Sequence, residues 1–207
     1  MIESILNLLA PVKCVYCSIP KTLFCQDHLL ASVPTLEVIG SISGYFAHPL
    51  DDPLLAALSA YKDRSMTALA LPLARAIEPL IATETWRAAD LVVIPPSTPK
   101  AYRSRGFVPV KLMLRTSKNQ LPVVQLQLKR RVKDQRGLDA EARRENLSGA
   151  YRAPDLAGKK VLLFDDVLTT SATLQEMQRA VFEAGGLVTG FCVLARRFAD
   201  SAVGEKI

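Results

Sequence analysis

Long apolar runs are what this chain most plainly lacks. Hydrophobic residues make up 49% of its 207 residues, yet no run is long enough to span a bilayer. Membrane insertion is therefore not expected. Met1 to Ala10 is apolar but short, and Glu3 stands where a secretory leader would carry positive charge. That stretch reads as a short helix packed on the protein, and the chain as cytoplasmic. Aromatic residues are scarce at 6%, and few of them fall among the basic residues. This argues against a strong single-strand nucleic-acid platform, which stacks bases on aromatic rings. With two histidines the chain has little material for imidazole acid–base chemistry. Four cysteines, three of them close together, do not read as a disulfide framework in a reducing cytosol. What the chain has in excess is positive charge, +6 with a pI near 9.3, which favours anionic ligands. Its length suits one medium α/β domain with a small appendage, and nothing in its composition suggests disorder.

The appendage is marked by Cys14, Cys17, Cys25 and His28, spaced C-x2-C-x7-C-x2-H. Each pair has the two-residue gap that lets both ligands of a knuckle converge on one ion. Three thiolates and an imidazole complete a tetrahedral, closed, structural zinc site. The other reading is a cluster of free buried thiols. Cys192 lies alone in the apolar run Leu187 to Ala195 and reads as a core residue. Val33-Pro34 ends the appendage, which gives a zinc-binding subdomain over 1–34 and a main domain over 35–207.

In the main domain, Leu36 to Phe46 reads as a hairpin or edge of strands. His48, just before Pro49, reads as a loop residue. Asp51-Asp52 precede Pro53 as helix-capping residues, and Met66 to Ile81 reads as a second, apolar helix. Between these helices Lys62 and Arg64 either bind a diphosphate or decorate a solvated turn. Asp90 to Ile94 is a buried strand stopped by Pro95-Pro96. From Pro95 to Arg115 there are five basic residues and no acid, with Ser97, Arg103 and Arg105 in a kinked loop that suits a diphosphate. Val110 to Arg115 continues as helix. Pro122 to Leu128 is a further strand. The segment from Lys129 to Arg144 carries seven basic and three acidic side chains and is long for a connection, so it reads as a functional loop or a solvated basic helix.

The chain is organised around Val161 to Leu174. Val161-Leu162-Leu163-Phe164 reads as a short strand buried on both faces, with Asp165 and Asp166 at its end. Thr169, Thr170, Ser171, Ala172 and Thr173 follow. Leu174, Met177, Val181 and Ala184 then share one face of a helix that stops at Gly185-Gly186. Hydroxyls and unpaired N–H groups at a helix N-terminus suit a phosphate. Two acids beside that loop suit sugar hydroxyls, or a metal that the ligand carries. A phosphorylated sugar is the ligand this chemistry fits. The strands alternate with helices, which implies a mainly parallel sheet with helices on both faces and ligands beyond its carboxyl edge.

The strand, the two acids and the hydroxyl loop resemble the signature of type I phosphoribosyltransferases, enzymes that use phosphoribosyl diphosphate (PRPP). The resemblance implies that Asp165 and Asp166 hold the ribose hydroxyls and that Thr169 to Thr173 hold the 5′-phosphate. Pro96, Ser97, Arg103, Arg105 and Lys62 would then face the diphosphate, with Asp165, Asp166 and Arg105 as the catalytic set and Mg²⁺ arriving with PRPP. Ser171 stands where that family usually has glycine, so a Cβ would cost energy if the position needs positive φ. The cysteine knuckle, Pro95-Pro96-Ser97, Arg105-Gly106-Phe107, Gln135-x-x-Leu138 and Arg143-x-x-Asn146 narrow the resemblance to the ComF branch, named for its part in bacterial natural competence. Val108-Pro109 depart from the Asn-Gln usual there, and His28 replaces a cysteine. The resemblance implies phosphoribosyl transfer to an unidentified nitrogen acceptor, with the Lys129 segment as a flap. The alternative is a non-catalytic PRPP sensor or an adaptor for single-stranded DNA or competence proteins.

Overall fold

A computed structural model of the chain describes residues 12–28, 32–132 and 140–198. Met1 to Ala10, Gln135 and Leu138 lie outside these residues. In chain order the elements are β1 (Thr35–Ile39), β2 (Ile42–Pro49), α1 (Asp52–Asp63), α2 (Ala70–Ile81), α3 (Glu84–Arg87) and β3 (Leu91–Ile94). Then come α4 (Pro99–Arg105), α5 (Pro109–Thr116), β4 (Val123–Gln125), β5 (Gln127–Leu128) and α6 (Ala140–Leu147). The last are β6 (Tyr151–Arg152), β7 (Lys160–Leu168), α7 (Ala172–Glu183) and β8 (Leu187–Arg196). Among the described residues no helix is long and apolar enough to cross a membrane.

One six-stranded sheet runs β1-β2-β8-β7-β3-β4. The β1–β2 hairpin is antiparallel, and every other pairing in this sheet is parallel. Parallel strands need crossover helices, and the side-chain alternation of the strands shows where those helices lie. Leu162 and Phe164 of β7 join the buried cluster of Leu54 and Tyr61 from α1, Leu73 and Ile77 from α2, and Met113 from α5. Val161 and Leu163 turn the other way, into the cluster of Met177 and Val181 from α7. Both faces of the sheet are thus covered, as the sequence predicts. Cys14, Phe24 and Cys25 are buried in the first cluster, so the cysteine segment packs on the same core as α1 and α2. Cys192 lies fully buried on β8, also as expected.

Two glycines have a mechanical reason. At Gly44 of β2 a Cβ would meet the Phe191 carbonyl and lie 2.5 Å from the Phe191 ring, so β2 and β8 close only around a bare backbone. Gly106 ends α4 with φ 76, a left-handed conformation that side chains resist.

Several elements differ from the sequence reading. The region from Pro99 to Arg105 is a helix, not a kinked loop. Thr98 caps it by accepting from the Ala101 N–H at 3.1 Å, with Pro99 in the first turn. Lys62 sits in the last turn of α1 rather than in a loop. The helix read from Met66 begins as a 3-10 turn, Thr67–Leu69, before α2. Pro122 to Leu128 breaks into β4, in the main sheet, and β5, which pairs antiparallel with β6 in a separate two-stranded ribbon. His48 is not in a loop but in β2, paired in register with Ala195.

Candidate functional site

The two acids are not at the tip of their strand. β7 continues two residues past Asp166 to Leu168, because Val167 and Leu168 still pair with Ala195 and Arg196 of β8. Asp165 and Asp166 therefore lie on backbone fixed by neighbouring strands. The Asp165 carboxylate accepts from the Asp166 N–H at 2.8 Å. Asp166 Oδ2 lies 2.6 Å from Lys62 Nζ, at the end of α1. Burial, and next the Asp166 charge, push the Asp165 carboxyl up to about 7, against the pull of Lys62. An acid pair so placed favours a ligand that donates hydrogen bonds or carries a cation. Tyr61, the neighbour of Lys62, is fully buried in the core and donates to the Pro109 carbonyl at 2.9 Å. Burial, with Asp166 second, raises its phenol above the ordinary range. Tyr61 also meets the Phe107 ring at 5.3 Å, so α1 is tied to the turn between α4 and α5.

Thr169, Thr170 and Ser171 join β7 to α7, with Ala172 and Thr173 in the first turn of that helix. Ser171 has φ −54 and ψ −1, right-handed values that cost a side chain nothing. The expected penalty for Ser in place of Gly therefore does not arise from the backbone. Its hydroxyl makes no capping bond, so it leaves the N–H groups of the first turn to other acceptors. Arg143 of α6 donates to Thr169 Oγ1 at 3.3 Å, which ties α6 to this loop. Arg196 Nη1 donates to the Thr169 carbonyl at 3.0 Å and the Arg197 carbonyl at 2.7 Å.

The diphosphate candidates lie one strand away. β3 pairs with β7 through Val93 and Leu163, so Pro95, Pro96 and Ser97 emerge beside the acids at the same edge of the sheet. Arg105, in the last turn of α4, lies 3.8 Å from Asp63, the residue after Lys62. The structure thus gathers Asp165, Asp166, Lys62, Ser97 and Arg105 around one edge, while Arg103 is exposed on α4.

Cys14, Cys17, Cys25 and His28 converge as their spacing predicts: one ligand atom from each lies within 4.8 Å of all the others. Cys17 Sγ and Cys25 Sγ are 3.5 Å apart. The His28 Nε2 is buried without a hydrogen-bond partner. Burial opposes ionisation of Cys14, but the Cys17, Tyr16 and Cys25 backbone groups hold its thiol down at about 6. Burial, then Cys17 and Cys14, push the Cys25 thiol up to about 12. Three crowded sulfurs and an orphaned imidazole are what a divalent cation relieves, and this cluster could hold zinc.

A family model described as the phosphoribosyl transferase domain matches residues 103–206. The chain belongs to that family. Its mixed α/β fold, with a mostly parallel sheet, is type I phosphoribosyltransferase-like. Solved structures similar to this phosphoribosyl transferase domain include an adenine phosphoribosyltransferase from Leishmania tarentolae, with TM-score 0.42 and 10% identity over 78% of this chain and 94% of that one. Another is an orotate phosphoribosyltransferase from Mycobacterium tuberculosis, with TM-score 0.41 and 17% identity over 82% and 79%. A third is a hypoxanthine-guanine phosphoribosyltransferase from Bacillus anthracis, with TM-score 0.36 and 18% identity over 70% and 76%. A search of curated protein sequences finds no match.

Arg196 and Glu176, which sequence reasoning passed over, support the site, and so does Arg143, which the sequence singled out only within the motif Arg143-x-x-Asn146. Arg196 and Arg143 brace the hydroxyl loop, as described above. Glu176 of α7, 5% exposed, accepts from the Gly149 N–H at 3.1 Å and the Tyr151 N–H at 2.8 Å. Arg179 grips both of its oxygens, at 2.7 and 2.8 Å, and also donates to the Tyr151 carbonyl. This knot fastens the base of the Lys129 segment to α7. Only the helical face of Glu176, next to Met177, hinted at its burial.

Proposed function

We propose that the protein binds PRPP with Mg²⁺ at the carboxyl edge of its sheet and is a ComF-type phosphoribosyltransferase acting on a nitrogen acceptor. The observation that carries this reading is the pair of half-buried Asp165 and buried Asp166, fixed in β7, with Lys62 on Asp166 and the start of α7 just beyond. In this reading the pair accepts from the ribose 2′- and 3′-hydroxyls. Thr169 to Thr173 donate to the 5′-phosphate through hydroxyls and the N–H groups of the first helical turn. Lys62 and Arg105 face the diphosphate and offset the charge that grows as it leaves, with Pro96, Ser97 and Arg103 flanking it. Bound with the substrate, Mg²⁺ would neutralise diphosphate charge. An acid pair that already draws an ammonium to 2.6 Å fits such a cation nearby. The segment braced by Glu176 would close over the sugar and exclude water.

The Cys14, Cys17, Cys25, His28 cluster is assigned a structural zinc, on its donor set and the orphaned His28 nitrogen. It would stiffen an appendage over 1–34, whose Cys14, Phe24 and Cys25 are buried with α1 and α2 of a domain over 35–207. A cytoplasmic location and a part in competence follow from the ComF resemblance and belong to this proposal. The adaptor reading is less favoured. Lys129 pairs with Glu183 at 3.3 Å, and Arg130 donates to the Asn146 and Ser148 carbonyls, which supports a structural role for two of its three basic residues.

The test is calorimetric titration of the zinc-loaded protein with PRPP and Mg²⁺, beside Asp165→Asn/Asp166→Asn. Binding by the wild type and its loss in the double variant is the expected result. A folded wild type that takes up no PRPP would refute the reading.

A further inference from the structure

The last turn of α1 reaches both the acids and the basic helix beside them. Lys62 Nζ lies 2.6 Å from Asp166 Oδ2, and the next residue, Asp63, lies 3.8 Å from Arg105. One residue earlier, Tyr61 is fully buried, donates to the Pro109 carbonyl at 2.9 Å and packs on the Phe107 ring. These contacts pin the backbone at the end of the helix. The Lys62 side chain is 25% exposed and rides on a flexible four-carbon stem, so its ammonium can turn while the helix stays in place.

Within the chain itself this ammonium already partners the acids. It contacts Asp166, whose side chain is 12% exposed. Its charge also reaches Asp165, where burial and Asp166 push the carboxyl up and Lys62 pulls it back. Two carboxylates beside one ammonium present at most a single net negative charge to an incoming ion, so a free divalent cation gains little from them. To reach the carboxylates it must evict the ammonium, and it brings no anion to receive it. A half-buried ammonium stripped of its partner is unfavourable. A diphosphate that carries the cation removes the obstacle. It offers the ammonium a new anion on the Arg105 side of the same helical turn, and the acids are released to sugar hydroxyls. One ion pair is exchanged for another, with no charge left alone. Only a ligand with such a differential gain shifts the lysine.

Resting on the PRPP reading above, we propose that Lys62 is a tethered cation that keeps free divalent metal off Asp165 and Asp166 and yields the acids only to a metal carried by diphosphate. Metal entry is thereby conditional on the sugar diphosphate. The lysine guards the acids before that ligand arrives and faces the diphosphate afterwards.

The experiment titrates the full zinc-loaded chain with Mn²⁺ alone, as a probe of oxygen-ligand cation sites, and separately with PRPP and Mg²⁺. It compares the wild type with Lys62→Met, which keeps the stem and removes the charge, and Lys62→Arg, which keeps the charge. Mn²⁺ favours oxygen ligands and does not displace zinc from thiolates. Lys62→Met should bind Mn²⁺ alone about tenfold more tightly than the wild type. Lys62→Arg should exclude it as the wild type does. Adding Asp165→Asn/Asp166→Asn to Lys62→Met should abolish the gain. Tight uptake of Mn²⁺ alone by the wild type overturns the proposal even without the variants. So does a gain that Lys62→Arg shares, or one that outlives both acids. Each of these leaves the PRPP reading intact, since the PRPP titration decides that separately. A wild type that binds no PRPP removes that reading, and the conditional entry of metal with it.

Discussion

Asp165→Asn should stabilise the protein, and by an amount that depends on pH. The substitution keeps the shape of the side chain and an oxygen for the Asp166 N–H, and removes one half-buried negative charge. Asp165 is raised from 3.8 to about 7, so the folded state holds a proton there that the unfolded chain releases. The stability this group contributes is fully present below about pH 4 and is lost as pH rises through about 7. From about pH 5 to about pH 8.5 the loss specific to Asp165 comes to roughly 2–3 kcal/mol. Asparagine does not suffer it. For a chain of this size that is about 5–10 °C of melting temperature. Thermal melts of both proteins at the two pH values, in buffer free of phosphate, give the result directly. The Asn variant should gain over wild type as pH rises, and should lose any PRPP-induced shift. A melting difference unchanged between the two pH values would show that Asp165 is not held in a charge-disfavouring site.

Other outcomes follow from neighbouring residues. Glu176→Gln breaks the paired grip of Arg179 and weakens the bonds to Gly149 and Tyr151; it should cost about 2–4 kcal/mol in denaturant unfolding and speed protease cleavage within 129–150. Although burial alone would raise the Glu176 carboxyl, Arg179 and the Tyr151 and Gly149 N–H groups hold it below its ordinary 4.5. Its contribution is therefore present above about pH 4.5 and fades as pH falls further, so the two proteins should converge in acid. Ser171→Gly should leave PRPP affinity within about threefold of wild type, because φ −54 holds no strain for glycine to release; a large gain in affinity would mean that the Ser171 Cβ obstructs the phosphate. Metal analysis should find one zinc per chain, and Cys25→Ser or a strong chelator should lower the melting temperature, since Cys14, Phe24 and Cys25 are buried with α1 and α2.

The central unit, β7 to α7, was legible because it combines an apolar strand, two acids and a helix face, each with its own local signal. The cysteine cluster was legible from spacing alone. Helix α4 was hidden by its charges, although Thr98, Pro99 and Gly106 spell out its cap, first turn and stop. β5 and β6, two residues each, are too short to show any period. The pairing of Lys62 with Asp166 and the burial of Glu176 depend on residues brought from far along the chain, and no local pattern encodes them. The persistence of β7 beyond Asp166 was missed for the same reason, since β8 supplies the partners.

The central place of β8 in the sheet has a consequence for synthesis. It lies between β2 and β7, and Gly44 admits only the bare contact with Phe191. The hairpin and its helices therefore leave the ribosome with an open sheet edge that nothing can close until residue 187 onward has been made. At about 5–20 residues per second that is a wait of many seconds, during which exposed strand edges are prone to stick to other chains. Asp165 and Asp166 on β7 and His48 on β2 come to share one sheet only when this late strand slides between them. Slower translation before β8 should lengthen this exposure and lower the yield of folded protein, and chains cut short before β8 should aggregate.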